Sequence, residues 1–459
     1  MALRSITALA VGAFLLPLAS AAAGDVKPLK IDALIGVHAL HALSDDASER
    51  QHAVAWLMEQ GGDGAVAPLI HLLRWLPEDR ARIVAALEKL TGQRLGDRWF
   101  DWMLWQQKHP EIAPYDGFDS FLAYTLANVD PLFLRFVHGG VAHDIRLEEI
   151  AWGGVRVDGI PALDHPKMIP PSEAGYLNPD DLVFGVEING DARAYPLRIA
   201  NWHEMVNDVV GGVPMSLAYC TLCGAGILFD GRVRGGDEPF TFGSSGLLYR
   251  SNKLMYDRQT DSLWNQFTGR PVVGPLTGSG IELRILPLVT APWSEWLARH
   301  PQTTVLSLDT GYQRDYGPGV AYRDYFASRD LMFPALVQDR RLEQKDIVFG
   351  VRAPGGTKAW PLAAFRGGAV INDKVGFLDV VVVGDAEGRT ARAYEAKGRQ
   401  FSPGAGPDLL RTTQGDWRIT EDALIGPDGT SLPRLPGHLA YWFAWAGYFE
   451  NAALGGTPN

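Results

Sequence analysis

The chain has 459 residues, a formal net charge of −11, 51 glycines, 30 prolines and only two cysteines. An acidic chain with no basic run longer than a few residues has no electrostatic reason to seek nucleic acid or anionic lipid. Its length allows two or three domains with their own cores, and its turn-forming residues point to a strand-rich body.

Residues 1–23 read as a signal peptide. Met1 to Arg4 form a short basic start, Ile6 to Leu18 are apolar, and Ala19 to Ala23 supply the small residues a signal peptidase needs. The apolar run is short for a bilayer, and no later segment reaches the length of a transmembrane helix. The expectation is a periplasmic or secreted protein with no stable membrane span after cleavage. In such a compartment a thiol pair ends as a disulfide unless a metal holds it as thiolates.

Residues 24–145 read as a helical domain. Val66, Leu69, Ile70 and Leu73 share one helical face, Pro77-Glu78-Asp79 reads as a helix start, and Ile83, Val84, Leu87 and Leu90 continue the period to a C-terminal cap at Gly92. Two short amphipathic helices joined by a tight turn resemble a HEAT-type hairpin. Trp99, Trp102 and Trp105 recur every third residue, where a helix–helix core is the simpler reading than a binding stripe. The expected role is a helical accessory domain through which a periplasmic partner could be met.

From about residue 146 short strands alternate with Gly, Pro and Asp turns, and the unit is written twice. Asp181-Leu182-Val183-Phe184-Gly185-Val186 returns 165 positions later as Asp346-Ile347-Val348-Phe349-Gly350-Val351. At the same offset Ala194-Tyr195-Pro196-Leu197 matches Ala359-Trp360-Pro361-Leu362, and Asn207-Asp208 matches Asn372-Asp373. Both copies close alike, with Leu286-Pro287 before Trp293 and Trp296, and Leu435-Pro436 before Trp442 and Trp445. The fold class is therefore α+β: a helical domain followed by a tandemly duplicated, mainly antiparallel β body, barrel or sandwich. Repeat one spans 146–330, and repeat two, degenerate and structural, spans 331–459.

The duplication acts as an internal control. Phe184, Pro196 and Asp208 have counterparts and read as scaffold. Cys220 falls opposite Asp385 and His203 opposite Gly368, so any chemistry belongs to repeat one.

Both cysteines stand in Tyr219-Cys220-Thr221-Leu222-Cys223-Gly224, at a turn after a strand-like run. That spacing lets two sulfurs face one metal, close a small disulfide ring, or share a redox proton. His203 is the nearest third metal ligand, and its neighbour Glu204 could orient it. Such a set suits zinc or copper, with Met255, His165 or water as a fourth ligand. Three readings stay open: a metal or thiol redox site at Cys220, Cys223 and His203, a structural disulfide in a non-enzymatic binding or scaffold module, and a Cys nucleophile with His203 as base. Thioredoxin-like chemistry is disfavoured, because Gly224 to Gly231 reads as strand and turn rather than helix. Tyr219, Glu204, Ser244, Ser245, Tyr249 and Arg250 are candidates to hold a small-molecule ligand or cofactor beside the thiols. The Phe242–Arg250 stretch is neither a P-loop nor a G-x-S-x-G elbow, and an ordinary turn is the simpler reading. The linker tyrosines Tyr322 and Tyr325 are expected to seal the two halves or rim a cleft between them.

Taken together, His203 to Asp208, the YC-x-LCG turn, Phe242 to Tyr249, Met255 to Gln266 and the closing tryptophans resemble a bacterial and archaeal family known as domain of unknown function 3179. The resemblance covers roughly residues 145–450. It implies fold and secretion but no reaction. Repeat two is short between Tyr394 and Trp417 compared with repeat one, which puts in doubt any site needing that segment.

Overall fold

The computed structural model describes residues 30–233 and 238–456, so the signal peptide expected over 1–23 lies outside the described residues. Six α-helices come first among them, from Ile31–His41 to Phe118–Ala127. Local signals place their ends. Asp46 accepts the Ser48 and Glu49 backbone N–H groups to start the helix Ala47–Gln60, and Gly92 ends Arg80–Thr91 with φ 70°. Pro77–Asp79 forms a single 3₁₀ turn leading into that last helix. No helix among the described residues is long and apolar enough to cross a membrane.

The helices are not walled off from the strands. Leu69, Ile83, Leu87 and Trp102 belong to one buried cluster with Leu247, Leu254, Leu263 and Val273 of repeat one. A helix layer too thin to bury both of its faces completes its core against a sheet. Buried polar contacts fix the joint: His71 Nε2 and Gln106 Nε2 lie 2.9 and 2.8 Å from the Glu148 carbonyl.

The β body repeats strand for strand. In repeat one, Leu182–Ile188 pairs antiparallel with Asp191–Pro196 and with Val289–Pro292, and Thr304–Leu306 runs parallel to Asp191–Pro196. In repeat two, Ile347–Ala353, Gly356–Pro361, Gly437–Tyr441 and Ala453–Leu454 pair in the same way. The register agrees too: Phe184 lies opposite Tyr195, and Phe349 opposite Trp360. A second antiparallel set, Met205–Val210, Val213–Cys220 and Ala225–Asp230, has its counterpart in Ala369–Val375, Leu378–Asp385 and Thr390–Glu395.

Shared residues do shared structural work. Asp208 accepts hydrogen bonds from Arg193 and Tyr195 at 2.7 and 2.8 Å, and Asp373 accepts them from Lys358 and Trp360 at 2.6 and 2.9 Å. Asn207 brackets the backbone of Phe242, and Asn372 that of Phe401, through one donated and one accepted bond each. The scaffold role expected of Asp208 is the one it has.

The copies diverge after those asparagines. In repeat one Phe242–Tyr249 turns into Asn252–Asp257, a long hairpin. In repeat two the matching chain forms only the two-residue strand Ser402–Pro403 before turning into Leu409–Thr412. Repeat two therefore has only a shortened form of the hairpin that in repeat one covers the cysteine turn.

Candidate functional site

The strand Val213–Cys220 is almost wholly buried and delivers Cys220 to a tight turn. Cys223 N–H donates to the Cys220 carbonyl at 3.2 Å and Gly224 N–H to that of Thr221 at 3.3 Å, closing the turn before Ala225–Asp230 begins. Gly224 has φ 59°, with the Tyr441 ring 3.2 Å from where a Cβ would stand. A strand follows the motif, as expected. Both cysteines are free and buried, with their sulfurs 2.8 Å apart.

The hairpin that is long only in repeat one supplies the sulfurs' surroundings. Its turn residues Arg250 and Ser251 both have left-handed backbone, φ 49° and 62°, an uncommon pair of non-glycines for a type I′ loop. The turn aims the Ser251 carbonyl at Cys223 Sγ, 3.5 Å away, and Asn252 Nδ2 donates to the same sulfur at 3.3 Å. Asn252 also donates to Gln266 Oε1 at 2.8 Å, and Gln266 Nε2 donates to the carbonyls of Ala218 and Ala225, one on each strand flanking the turn. Gln266 thus clamps the base of the turn and orients Asn252.

Charge reaches the site through Glu204 and Lys253. Both are buried, and Lys253 Nζ lies 3.1 Å from Glu204 Oε2. Glu204 also accepts from Thr221 Oγ1 at 3.1 Å and from the Tyr322 hydroxyl at 3.3 Å. Its own backbone is left-handed, φ 56°, where the helix Leu197–His203 ends. Strained non-glycine backbone on both sides of a buried polar cluster persists only where the surroundings over-determine it, a pattern concentrated at functional sites.

These surroundings make the two thiols unequal. Burial pushes both up. The Glu204 carboxylate adds to that push on Cys220, but the hydrogen bond with Cys223 and then the Lys253 backbone N–H and ammonium outweigh both, so Cys220 lies below the ordinary thiol range. Cys223 is raised well above it, by burial and by the neighbouring Cys220 sulfur. The arrangement is one thiolate-prone sulfur beside one that keeps its proton.

His203 does not join them. Its Nδ1 lies 2.8 Å from the Pro161 carbonyl and its Nε2 2.6 Å from the Tyr316 hydroxyl, so both ring nitrogens are engaged. Among the described residues no group of three or more His, Cys, Asp or Glu gathers to hold a metal. The expectation of His203 as third ligand or as thiol base is corrected, because the helix end that carries it turns the ring toward the linker. Met255 is packed in a cluster with Phe242 and Trp264, and His165 is exposed on a left-handed turn, so neither completes a ligand set.

The other expected site residues divide. Tyr219 and Glu204 are at the site. Ser244 and Ser245 lie inside a buried strand rather than in a turn, and Ser245 Oγ donates to the Leu254 carbonyl. Tyr249 and Arg250 join the body to the helical region and the C-terminal helix: the Tyr249 carbonyl accepts from the Tyr448 hydroxyl, and Arg250 pairs with Glu149. Lys253 and Asn252 escaped sequence reading. Their place in the inter-copy hairpin difference was the available signal. The linker tyrosines pack against the cysteine turn, with the Tyr322 hydroxyl donating to Glu204 at 3.3 Å and the Tyr325 hydroxyl to the Leu222 carbonyl at 2.6 Å.

A family model described as "Protein of unknown function (DUF3179)" matches residues 157–452. The chain belongs to this family. The match covers the duplicated body and begins after the helices. No curated protein and no solved structure shows significant similarity to the chain.

Proposed function

We propose that Cys220 and Cys223 are a reversible dithiol–disulfide couple, making this a periplasmic or secreted thiol redox protein. The reading is carried by the two free sulfurs 2.8 Å apart with unequal acidities, built into one copy of a duplicated fold only. In exchange with a disulfide R–S–S–R, the Cys220 thiolate attacks one sulfur, forms a mixed disulfide and expels one thiolate. Cys223 then gives up its proton and attacks the Cys220 sulfur, closing the Cys220–Cys223 bond and releasing the second thiol. The protein loses two electrons and the substrate gains them. Tyr219 and Gly224, which flank the pair in sequence, line the cavity between the repeats.

Thiol titration across graded dithiol–disulfide mixtures tests this. The folded protein should move between two titratable thiols and none in one reversible step, and Cys223→Ser should trap a mixed disulfide at Cys220. A pair that stays oxidised in the folded protein under strong reductant would make it a fixed staple instead. Stoichiometric zinc or copper, lost in Cys220→Ser, would replace the redox reading with a metal site.

Lys253 should set the thiolate. Lys253→Met is expected to raise the pH at which thiolate absorbance appears, because the ammonium favours the Cys220 thiolate. An unchanged titration would mean Lys253 serves Glu204 alone. In Glu204→Gln/Lys253→Met neither charge is buried, and the shift should fall back, because the Glu204 carboxylate that raises the Cys220 thiol is gone as well.

A further inference from the structure

A cavity of about 880 Å³ opens between the two repeats. Its lining follows the internal symmetry of the chain. Asp181 and Asp346, Leu182 and Ile347, and Thr290 and Leu439 are matched positions of the two copies, and all six face this space. The cavity therefore straddles the axis relating the repeats, as a ligand site straddles the interface of a symmetric dimer.

Two matched positions change charge. Asp180 of repeat one is answered by Lys345 of repeat two, and Gly224 by Arg389. Lys345 Nζ donates to the carbonyls of Tyr325 and Ser328 and lies 3.7 Å from the Tyr325 ring centre, held in place without a carboxylate. Arg389 stands exposed beside Tyr441. Asp181 is paired with Arg198, but Ala363 replaces that arginine in repeat two, so Asp346 lacks the same partner. Duplication made two equivalent walls, and these substitutions added two cations to the repeat-two wall, which keeps Glu343 and Asp346, and left Asp180 on the repeat-one wall, where Arg198 takes Asp181. Phe184, Phe326 and Tyr441 give the space an apolar and aromatic surface.

We infer that the inter-repeat cavity binds a zwitterionic, partly apolar small molecule of the short-peptide or amino-acid class. Its ammonium lies toward Asp180 and its carboxylate toward Lys345 and Arg389. This goes beyond the thiol reading and does not depend on it.

The dipeptide Leu-Phe, its N-acetyl form and its C-terminal amide, titrated calorimetrically into the full chain, provide the test. The free dipeptide should bind, and each blocked form should bind about tenfold more weakly, the ordinary worth of one charge-assisted contact. Lys345→Met and Arg389→Ala should each reduce the penalty for amidation while leaving that for acetylation. Asp180→Asn should do the reverse. Thermal melting shows that each variant is folded before it is titrated. Equal binding of free and blocked dipeptides overturns the inference, and so does an absence of binding by the free dipeptide at millimolar concentration. Either outcome leaves the dithiol proposal standing, since that is read by thiol titration alone.

Discussion

Replacing Glu421 by alanine is expected to destabilise the protein by about 3–5 kcal/mol, measured by denaturant unfolding. Glu421 is buried between two buried arginines. Arg392 Nη2 donates to it at 2.8 Å and Arg434 Nη1 forms a second ion pair with it. Arg434 Nη2 also donates at 2.6 Å to the Leu288 carbonyl of repeat one, so this triad fastens one copy to the other. Removing the carboxylate strands two buried cations, which costs more than the pair contributes. Burial alone would raise the Glu421 pKa, but Arg392 and Arg434 outweigh it and hold it well below the usual value of 4.5. A carboxylate depressed on folding contributes fully above its unfolded pKa. That contribution disappears as the pH falls through the lower folded value. Wild-type stability should therefore drop below about pH 4.5, and Glu421→Gln should flatten that drop. A variant that unfolds at the wild-type midpoint would show the triad to be energetically idle.

The second large effect is expected at the glycines that both copies share. A Cβ on Gly350 would overlap the Trp445 ring, and one on Gly185 would overlap Trp296. Both indoles are fully buried, so neither can step aside without moving its helix. Gly350→Ala and Gly185→Ala should each cost about 3 kcal/mol in unfolding free energy, at the upper end for overpacking. Gly447, in the same helix as Trp445, has open space around its Cβ position. Gly447→Ala should be neutral or stabilise by up to about 1 kcal/mol. If Gly350→Ala is as mild as Gly447→Ala, the repeated glycine–tryptophan contact is not what holds helix to sheet.

These glycines also explain how far the sequence could be read. The recurrence of Phe-Gly-Val and of paired tryptophans located both copies, because a ring seated on a strand glycine leaves the same two letters wherever the contact is reused. Asn207 and Asp208 were legible for the same reason, since their partners recur with them. The cysteine turn was legible through its absence from repeat two. His203 was misread because nearness in sequence says nothing about which way a helix end turns an imidazole, and the Tyr316 hydroxyl that takes its Nε2 stands 113 residues away. Lys253 and Asn252 were missed because a hairpin of buried strands gives no sign of which sheet it will cover.

By itself the sequence determined the duplication, the α+β class, the family and the single copy that carries the thiols. Each rests on local pattern or on identity between residues, which need no folding to compare. Only the tertiary structure decided that the sulfurs meet Asn252 and Lys253 instead of His203, that Cys220 and Cys223 differ in acidity, and that the matched walls enclose a cavity of mixed charge. Those properties arise from distances and burial between segments far apart in the chain. A two-cysteine motif carries the same letters whether a lysine or a histidine folds against it.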